Sequence, residues 1–266
     1  MPDTTKAVVA GGEIQYEDVG QGDALVFASG LNGVGRYWAP QVPLFSKHFR
    51  VITYDQRGTG GSDRIQREFS VDQMAEELVG LMDVLKIERA HIVGMSTGGA
   101  IGQTIAIEHP ERVRKLVLCS TWTHCDPWFR RLFHARRDMY LQAGPELHAQ
   151  FHPLFLYSPE YVNEHDAEIE AERARAPTKS SPVEVSVARI NALLKFDRRA
   201  GLPAIKAETL VMGSDSDFIT PSYFSAALAQ AIPGAKLVMR KGGGHSFTIT
   251  CAEQFNCDLM AFLLPQ

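Results

Sequence analysis

Hydrophobic positions along the chain fall into two recurring patterns. Short, almost continuous apolar runs alternate with longer stretches in which apolar residues recur at steps of three and four. The short runs predict strands at "ALVFA" (24–28), "RVITYD" (50–55), "AHIVG" (90–94), "KLVLCS" (115–120), "ETLVM" (208–212) and "KLVMR" (236–240). Because these runs lack a polar face, they indicate strands buried on both sides, which is typical of a mostly parallel sheet.

The longer stretches predict helices. One apolar helical face in "SVDQMAEELVGLMDVLKI" is formed by Val71, Met74, Leu78, Leu81 and Leu85. Ser70, followed three residues later by Gln73, is typical of a capping box and predicts that the helix begins there. The final segment, "CAEQFNCDLMAFLLP", has helical spacing through Phe255, Leu259, Phe262 and Leu263.

The alternation of strands and helices stops after residue 120. Several helix-like patterns follow, and no convincing strand appears before "ETLVM". We therefore predict an α/β fold whose core, residues 1–120 and 205–266, is a mostly parallel twisted sheet flanked by helices. Residues 121–204 are predicted to form a helical cap inserted into that core.

Composition and charge narrow the class of protein. The chain has 266 residues, of which 45% are hydrophobic, and a formal net charge of −4 with basic residues scattered along it. A chain of this size can bury one large core, and it lacks the basic stripe of a nucleic-acid-binding protein. We therefore expect a small-molecule substrate as the partner and no nucleic acid. The oligomeric state stays open, with a homodimer as one option.

Neither a membrane nor a metal is expected as a partner. No segment reaches the roughly 20 apolar residues of a membrane span, and the start "MPDTTKAVVAGGE" lacks the basic and apolar regions of a signal peptide. The sequence thus predicts a cytoplasmic protein. Its four cysteines form no C-x-x-C pair and have no histidines at zinc-finger spacing, which argues against a metal site.

Candidate chemistry begins in "HIVGMSTGGAIGQ" (91–103), which matches G-x-S-x-G with Gly94, Ser96 and Gly98. The motif follows a predicted strand and precedes a helical run, which is the setting of a nucleophile elbow. Such a turn strains the serine backbone, and small neighbours leave space for the crossing chain. We predict that Ser96 is a catalytic nucleophile. The alternative is a glycine-rich turn without chemistry.

A serine hydroxyl needs a base to take its proton and a third group to orient that base. "RKGGGHSF" places His245 in a glycine-rich loop directly after the strand predicted at 236–240. "VMGSDSDFITP" offers Asp215 and Asp217 in the loop after the preceding strand. Either aspartate can instead stabilise the turn through its own side chain.

Acyl transfer also needs backbone N–H donors for the oxyanion. Thr97, the residue after the predicted nucleophile, supplies one. The second is expected from the loop "SGLNGVGRYW" after the first predicted strand, with Leu31 as the first candidate and Asn32 as the next. Asn32 is also a candidate for substrate binding. Alternatively, this is a flexible loop whose glycines need no further explanation.

Together these segments resemble the α/β-hydrolase family over essentially the full length of the chain. "YDQRGTGGSD" (54–63) and "HPERVRKLVLCS" (109–120) are similar to further stretches of that family. The resemblance implies the order Ser96, Asp217, His245 for a catalytic triad. It favours Asp217 over Asp215, because Asp217 precedes Pro221 by four residues, which resembles the usual spacing of the acid loop.

Within the family, the chain resembles the branch of 3-oxoadipate enol-lactonases and aminoacrylate hydrolases. The resemblance lies in "GRYWAPQ", "YDQRGTG", "PLFLYSPEY" and "RINALLKFD". It implies a small catabolic serine hydrolase that uses no cofactor and cleaves an ester, lactone, amide or enamine-type C–N bond, as in aminoacrylate or an enol-lactone. One departure is that Ser29 and Gly30 stand where many relatives have a histidine before the glycine, which leaves the second oxyanion donor less certain.

Two other functions fit the same triad. One is a cofactor-free haloperoxidase or perhydrolase, and the other is a signal sensor that binds or slowly cleaves its ligand. Turnover separates an enzyme from a sensor, since enzymes commonly reach a kcat of about 1 to 1,000 per second.

The cap sequence bears on the substrate. In "DPWFRRLFHARRDMYLQ", Arg136 falls on an apolar stripe formed by Phe129, Leu132, Phe133, Met139 and Tyr140. A guanidinium on an inward face needs an anionic partner, which favours a substrate carboxylate. Alternatively, Arg136 extends to water or pairs with a cap glutamate. Arg189, in "VEVSVARINALL", is a second candidate for substrate binding, and Trp122 is predicted to line the pocket wall.

Overall fold

The computed structural model describes residues 5–31, 33–64, 68–175 and 181–264. The strands are β1 Thr5–Val9, β2 Gly12–Val19, β3 Ala24–Ala28, β4 Arg50–Tyr54, β5 Ala90–Met95, β6 Val113–Cys119, β7 Glu208–Ser214 and β8 Lys236–Arg240. The helices are α1 Val42–Phe45, α2 Val71–Val84, α3 Thr97–Glu108, α4 Pro127–Leu156, α5 Pro159–Glu164, α6 Asp166–Arg175, α7 Val183–Leu194, α8 Ser222–Ala231, α9 Phe247–Thr250 and α10 Ala252–Leu263. Short 3₁₀ helices lie at Gly35–Trp38, Pro110–Arg112 and Leu202–Ala204.

These strands form one sheet in the order β1-β2-β4-β3-β5-β6-β7-β8. The pairs from β4 through β8 are parallel, whereas β1 and β2 are antiparallel to each other and β2 is antiparallel to β4. The prediction of a mostly parallel sheet is confirmed. All six predicted strands are present within two residues of their predicted ends.

The antiparallel pair β1–β2 was not predicted. Its turn uses Gly11 and Gly12, whose φ angles of 115° and 147° favour glycine. A Gly-Gly pair between two extended segments is a known hairpin signal. The pair contains no continuous apolar run, because β1 alternates between exposed and buried residues over its last three positions.

Side chains of β3 alternate between the two faces of the sheet. Ala24, Val26 and Ala28 belong to the core that also contains residues of α2 and α3. Leu25 and Phe27 belong to a second core on the opposite face, with residues of α1 and α10. Burial on both faces explains why the inner parallel strands read as unbroken apolar runs, whereas β8 at the sheet edge is mostly exposed, contrary to the expectation from its apolar sequence.

The predicted cap segment, residues 121–204, contains α4 to α7, and α4 packs against α7. α4 bends at Gly144, whose φ of 83° interrupts the helical backbone. Near the end of the segment, Arg198 forms ion pairs with Asp72 on α2 and Glu108 on α3, which tie the cap to the core.

In the part of the chain that the structure describes, no helix is both long and apolar enough to cross a membrane.

Candidate active site

Ser96 occupies the turn between β5 and α3. Its φ of 53° and ψ of −114° are unusual for a residue with a side chain, so the predicted strain is present. The Ser96 N–H donates to the Cys119 carbonyl at 2.8 Å, and its carbonyl accepts from Thr121 Oγ1 at 2.8 Å. A methyl group on Gly98 would overlap the carbonyl oxygen of Ala28. The turn therefore requires glycine beside a rigidly held serine.

His245 and Asp217 form a buried pair. His245 Nδ1 lies 2.9 Å from both carboxylate oxygens of Asp217. The same carboxylate accepts from the N–H groups of Ile219 and Thr220 at 2.9 Å and from Thr220 Oγ1 at 2.8 Å. Burial opposes ionisation of Asp217, but His245 and the Thr220 amide outweigh it and hold the pKa of the carboxyl below its usual value. Asp217 is thus an anion that orients the imidazole.

Asp215 has a different role. It is exposed, its carboxylate accepts from the Gly242 N–H at 2.7 Å, and its own N–H donates to the Arg240 carbonyl at 3.0 Å. These bonds stabilise the turns after β7 and β8. The structure therefore brings Asp217 to His245 and leaves Asp215 in the turn.

The loop before His245 connects the core to the cap. Gly242, Gly243 and Gly244 have φ angles of 72°, 91° and 67°, a conformation that favours glycine at three successive positions. The N–H of Ser246, the residue after His245, donates to the carbonyl of Leu156 on α4 at 3.0 Å. The end of α4 is therefore in contact with the loop that carries His245.

Topology brings the three predicted catalytic residues to one edge of the sheet. Ser96 follows β5, Asp217 follows β7 and His245 follows β8, and these strands run parallel. The carboxyl ends of parallel strands lie at the same edge, where α/β proteins bind ligands.

The predicted oxyanion loop, which we call the oxyanion loop, begins at Ser29, and its Gly30 lies beside Ser96. A methyl group built on Gly30 would stand 3.4 Å from the Ser96 Cβ. Among the hydrogen bonds between described residues, none uses the backbone N–H of Leu31 or of Thr97 as the donor. Both groups are thus free to bind an oxyanion. Asn32 lies outside the described residues, so its role stays a prediction.

Arg136 on α4 is buried, with 2% of its surface exposed. Its guanidinium carbon lies 5.1 Å from the ring centre of Phe133 and 5.2 Å from that of Phe155. Among the described residues, no carboxylate pairs with it, and its Nε has no hydrogen-bond partner. Extension of Arg136 to water is therefore wrong, and no described glutamate of the cap forms an ion pair with it. Burial lowers the pKa of Arg136 to about 10, so it remains charged at neutral pH.

Two histidines of α4, His148 and His152, lie close enough to Arg136 for its charge to lower their pKa. Burial, with the charge of Arg136 as the next cause, lowers the pKa of His148 to about 2 and that of His152 to about 3. The charge of His245 also lowers the pKa of His152. We call Phe133, Arg136, His148, His152 and Phe155 the Arg136 cluster. A helical pattern alone does not reveal it, because α4 bends between Arg136 and His148.

The predicted substrate-binding role of Arg189 is not supported, because its guanidinium is already occupied. Nε donates to the Leu31 carbonyl at 2.9 Å, Nη1 donates to the Arg57 carbonyl at 3.0 Å, and Nη2 donates to Gln56 Oε1. The prediction correctly expected a buried arginine that needs partners. The partners are groups of the protein itself.

The predicted position of Trp122 in the pocket wall is wrong. The side chain is fully buried, at 0% exposure, in the core shared with α3 and α4. Its ring stacks on Phe129 with centroids 4.6 Å apart and meets the edge of Phe196 at 5.6 Å. Trp122 therefore supports the base of the cap, because these aromatic neighbours cover it completely.

Comparisons with known proteins agree with this fold. A family model described as the α/β-hydrolase fold matches residues 23–250. A protein named carbamate hydrolase RutD, from Caulobacter vibrioides (strain NA1000 / CB15N), is 38% identical over 242 residues, which cover 91% of this chain and 90% of that protein.

Two solved structures are similar over almost their whole length. The enol-lactonase from Burkholderia xenovorans LB400 has a TM-score of 0.90 and 29% identity and is covered to 99%, with 97% of this chain matched. A thermophilic esterase from Thermogutta terrifontis, solved with malate bound, has a TM-score of 0.86 and 25% identity, with 98% of each chain covered.

Proposed function

The chain belongs to the α/β-hydrolase family, and on this premise we propose that it is a serine hydrolase with Ser96, His245 and Asp217 as its catalytic triad. The observation that carries the proposal is the buried pair of His245 and Asp217, at 2.9 Å, on loops at the same sheet edge as Ser96. The strained backbone of Ser96 supports the role of nucleophile, because an elbow of this kind presents the hydroxyl to the site.

The geometry supports different roles for the two ring nitrogens of His245. Asp217 accepts a hydrogen bond from His245 Nδ1, which leaves Nε2 as the nitrogen that takes a proton. As Ser96 Oγ attacks the substrate carbonyl carbon, its proton passes to Nε2 and then to the leaving alcohol or amine. Water next attacks the acyl-serine, His245 takes the proton of that water, and the carboxylic acid leaves as the Ser96 hydroxyl is restored.

Two backbone donors are proposed to stabilise the oxyanion of each tetrahedral intermediate. They are the N–H groups of Thr97 and Leu31, which have no acceptor among the described residues. Such donors act in a site already shielded from water, so each contributes on the order of 3 kcal/mol in the transition state.

The substrate is proposed to be a small molecule that carries a carboxylate. Arg136 supports this because a buried, charged guanidinium without an acid partner costs free energy until an anion binds. The neutral histidines beside it do not compensate its charge. The scissile bond is proposed to be an ester, lactone, amide or carbamate-type C–N bond, in keeping with the carbamate hydrolase and enol-lactonase names of similar proteins.

Labelling and turnover test this function together. A fluorophosphonate should form a single adduct on Ser96, located by peptide mass spectrometry, and Ser96→Ala should abolish both labelling and hydrolysis. The substrate panel should contain small esters, lactones, amides, carbamates and enamines, each with and without a carboxylate. Label on another residue, or full turnover by Ser96→Ala, contradicts the assignment.

A further inference from the structure

Arg189 reaches from the cap helix α7 to the oxyanion loop of the core. The side chain is buried, with 1% exposed. Its Nε donates to the Leu31 carbonyl at 2.9 Å, and its two terminal nitrogens donate to the Arg57 carbonyl and to Gln56 Oε1. Its guanidinium carbon also lies 5.7 Å from the ring centre of Phe69. One guanidinium therefore connects the cap, the oxyanion loop and the turn after β4.

Gln56 extends this connection along the oxyanion loop. Its Nε2 donates to the Ser29 carbonyl at 2.8 Å, and its backbone N–H donates to the Gly33 carbonyl at 2.7 Å. Because Arg189 binds the side-chain oxygen of Gln56, it also fixes which end of that amide faces Ser29.

These bonds hold successive peptide planes around the Leu31 N–H. The plane that contains this N–H ends in the Gly30 carbonyl, which accepts from the Gly33 N–H at 3.0 Å. The plane before it is held by Gln56 through Ser29, and the plane after it is held by Arg189 through Leu31. Fixing the carbonyls fixes the planes, so the direction of the Leu31 N–H is set by its neighbours.

We propose that Arg189 is a positioning residue that holds the Leu31 N–H in the direction required to bind the oxyanion. It acts through the loop and does not touch the substrate. This inference rests on the proposed hydrolase function, since it assigns a purpose to the donor at Leu31. It also makes the cap a contributor to catalysis, because the side chain that orders the oxyanion loop comes from α7.

A merely structural role predicts a different result from a positioning role. Loss of a structural contact lowers stability and leaves the kinetics of the folded protein unchanged. Loss of oxyanion positioning lowers kcat while KM stays similar, because the donor acts mainly in the transition state.

The experiment compares Arg189→Met with Arg198→Met. Both variants remove a guanidinium that joins the cap to the core, and methionine retains the apolar stem, but Arg198 pairs only with Asp72 and Glu108 among the described residues. Three quantities are measured well below the melting temperature of each variant. They are hydrolysis of p-nitrophenyl acetate, the rate of fluorophosphonate labelling of Ser96, and hydrogen exchange of the peptide covering residues 27–36.

For Arg189→Met, we expect kcat and the labelling rate to fall about 10- to 100-fold. This decrease is no larger than the decrease in kcat expected when a whole oxyanion donor is removed. KM should stay within about threefold, and exchange in the loop should rise at least about tenfold. Arg198→Met should change none of the three. Arg189→Lys retains one donor and should recover part of kcat, which also covers the case in which the methionine variant folds poorly.

Unchanged loop exchange in Arg189→Met overturns the proposal, and so does increased exchange with an unchanged kcat. Equal losses in the Arg189 and Arg198 variants also overturn it, because they indicate a general effect of loosening the cap. A wild-type protein that neither hydrolyses the ester nor reacts with the fluorophosphonate refutes the proposed function instead. In that case, the exchange measurement alone still decides whether Arg189 holds the loop.

Discussion

Asp217 and Arg136 are both buried charged groups, but the protein supplies a partner of opposite charge or strong hydrogen-bond donors only to Asp217. In the loops at the carboxyl edge of the sheet, Asp217 accepts hydrogen bonds from Ile219, Thr220 and His245. In the Arg136 cluster, Arg136 Nε and His148 Nε2 have no partner among the described residues.

The difference indicates two kinds of preorganisation. A buried polar group without a partner costs about 1 to 3 kcal/mol, so a protein retains one only where something else offsets the cost. The pair of Asp217 and His245 is complete before substrate arrives, which suits groups that must be aligned at the moment of reaction. The Arg136 cluster is incomplete, which suits a region whose missing partner is the substrate.

The largest expected effect comes from breaking the pair of Asp217 and His245. Asp217→Asn should lower kcat by about 10⁴-fold, because the amide cannot hold the imidazole in the required tautomer. Asp215→Asn is the matched control and should stay within about tenfold of wild type, since this exposed side chain accepts from the Gly242 N–H in a turn. Steady-state kinetics at equal folded fraction measure both. The opposite ranking of the two variants would identify Asp215 as the catalytic acid.

The next largest effect concerns the Arg136 cluster. Arg136→Met should raise KM for a substrate with a carboxylate and lower its kcat/KM about 10- to 150-fold, the equivalent of about 1.5 to 3 kcal/mol for a hydrogen bond to a charged group. A neutral substrate with the same scissile bond should be nearly unaffected. Steady-state kinetics with these two substrates measure the change in KM and in kcat/KM for each.

The melting temperature of Arg136→Met also tests whether Arg136 lacks an acid partner in the folded protein. Because Arg136 has no acid partner, replacing it with methionine should leave the melting temperature unchanged or raise it. Arg137→Met is the control, since Arg137 is partly exposed and pairs with Asp138, and it should alter neither KM. Equal losses on both substrates, or a lower melting temperature, would show that Arg136 supports the cap and does not recognise a carboxylate.

The smallest effect is a pH dependence of stability from His148. Its pKa is about 2 in the folded protein and about 6.5 in the unfolded chain. The unfolded chain therefore binds a proton below about pH 6.5 that the folded protein does not, so stability is complete above that pH and declines as the pH falls. Between about pH 7 and about pH 5, the loss should be about 1 to 2 kcal/mol.

Urea unfolding of wild type and His148→Phe at those two pH values measures this contribution. Phenylalanine retains the ring that stacks on Tyr140 at 3.9 Å and removes the titrating group, so the variant should lose less stability on acidification. His165→Phe is the control, because that ring stacks on Tyr161 but is 41% exposed. An identical pH dependence in wild type and His148→Phe would contradict burial of His148 as a neutral base.

Much of the fold could be predicted because its signals are local. The six strands from β3 to β8 are apolar over consecutive residues, and Ser70 accepts the predicted capping bond from the Gln73 N–H at 3.0 Å. β1 and β2 lack that continuity, since exposed and half-buried residues interrupt their buried positions, and they were missed.

Part of the candidate site could also be predicted from the sequence. The strain at Ser96 follows from a strand, a turn with glycines and a helix in immediate succession, and all of these are visible in the sequence. Trp122 was misplaced because an aromatic residue after a strand end can face either a pocket or the core. Only its contacts with Phe129 and Phe196 decide between them.

The sequence by itself determined the parallel sheet and the strained turn at Ser96, because each depends on residues that are neighbours in the chain. It could not distinguish Arg136 from Arg189, two arginines on apolar helical faces. Tertiary structure decided between them, since the acceptor at Leu31 lies 158 residues from Arg189, whereas folding brings Arg136 no acid partner among the described residues. A buried charge is defined by its partners, and those partners are set by how distant segments pack.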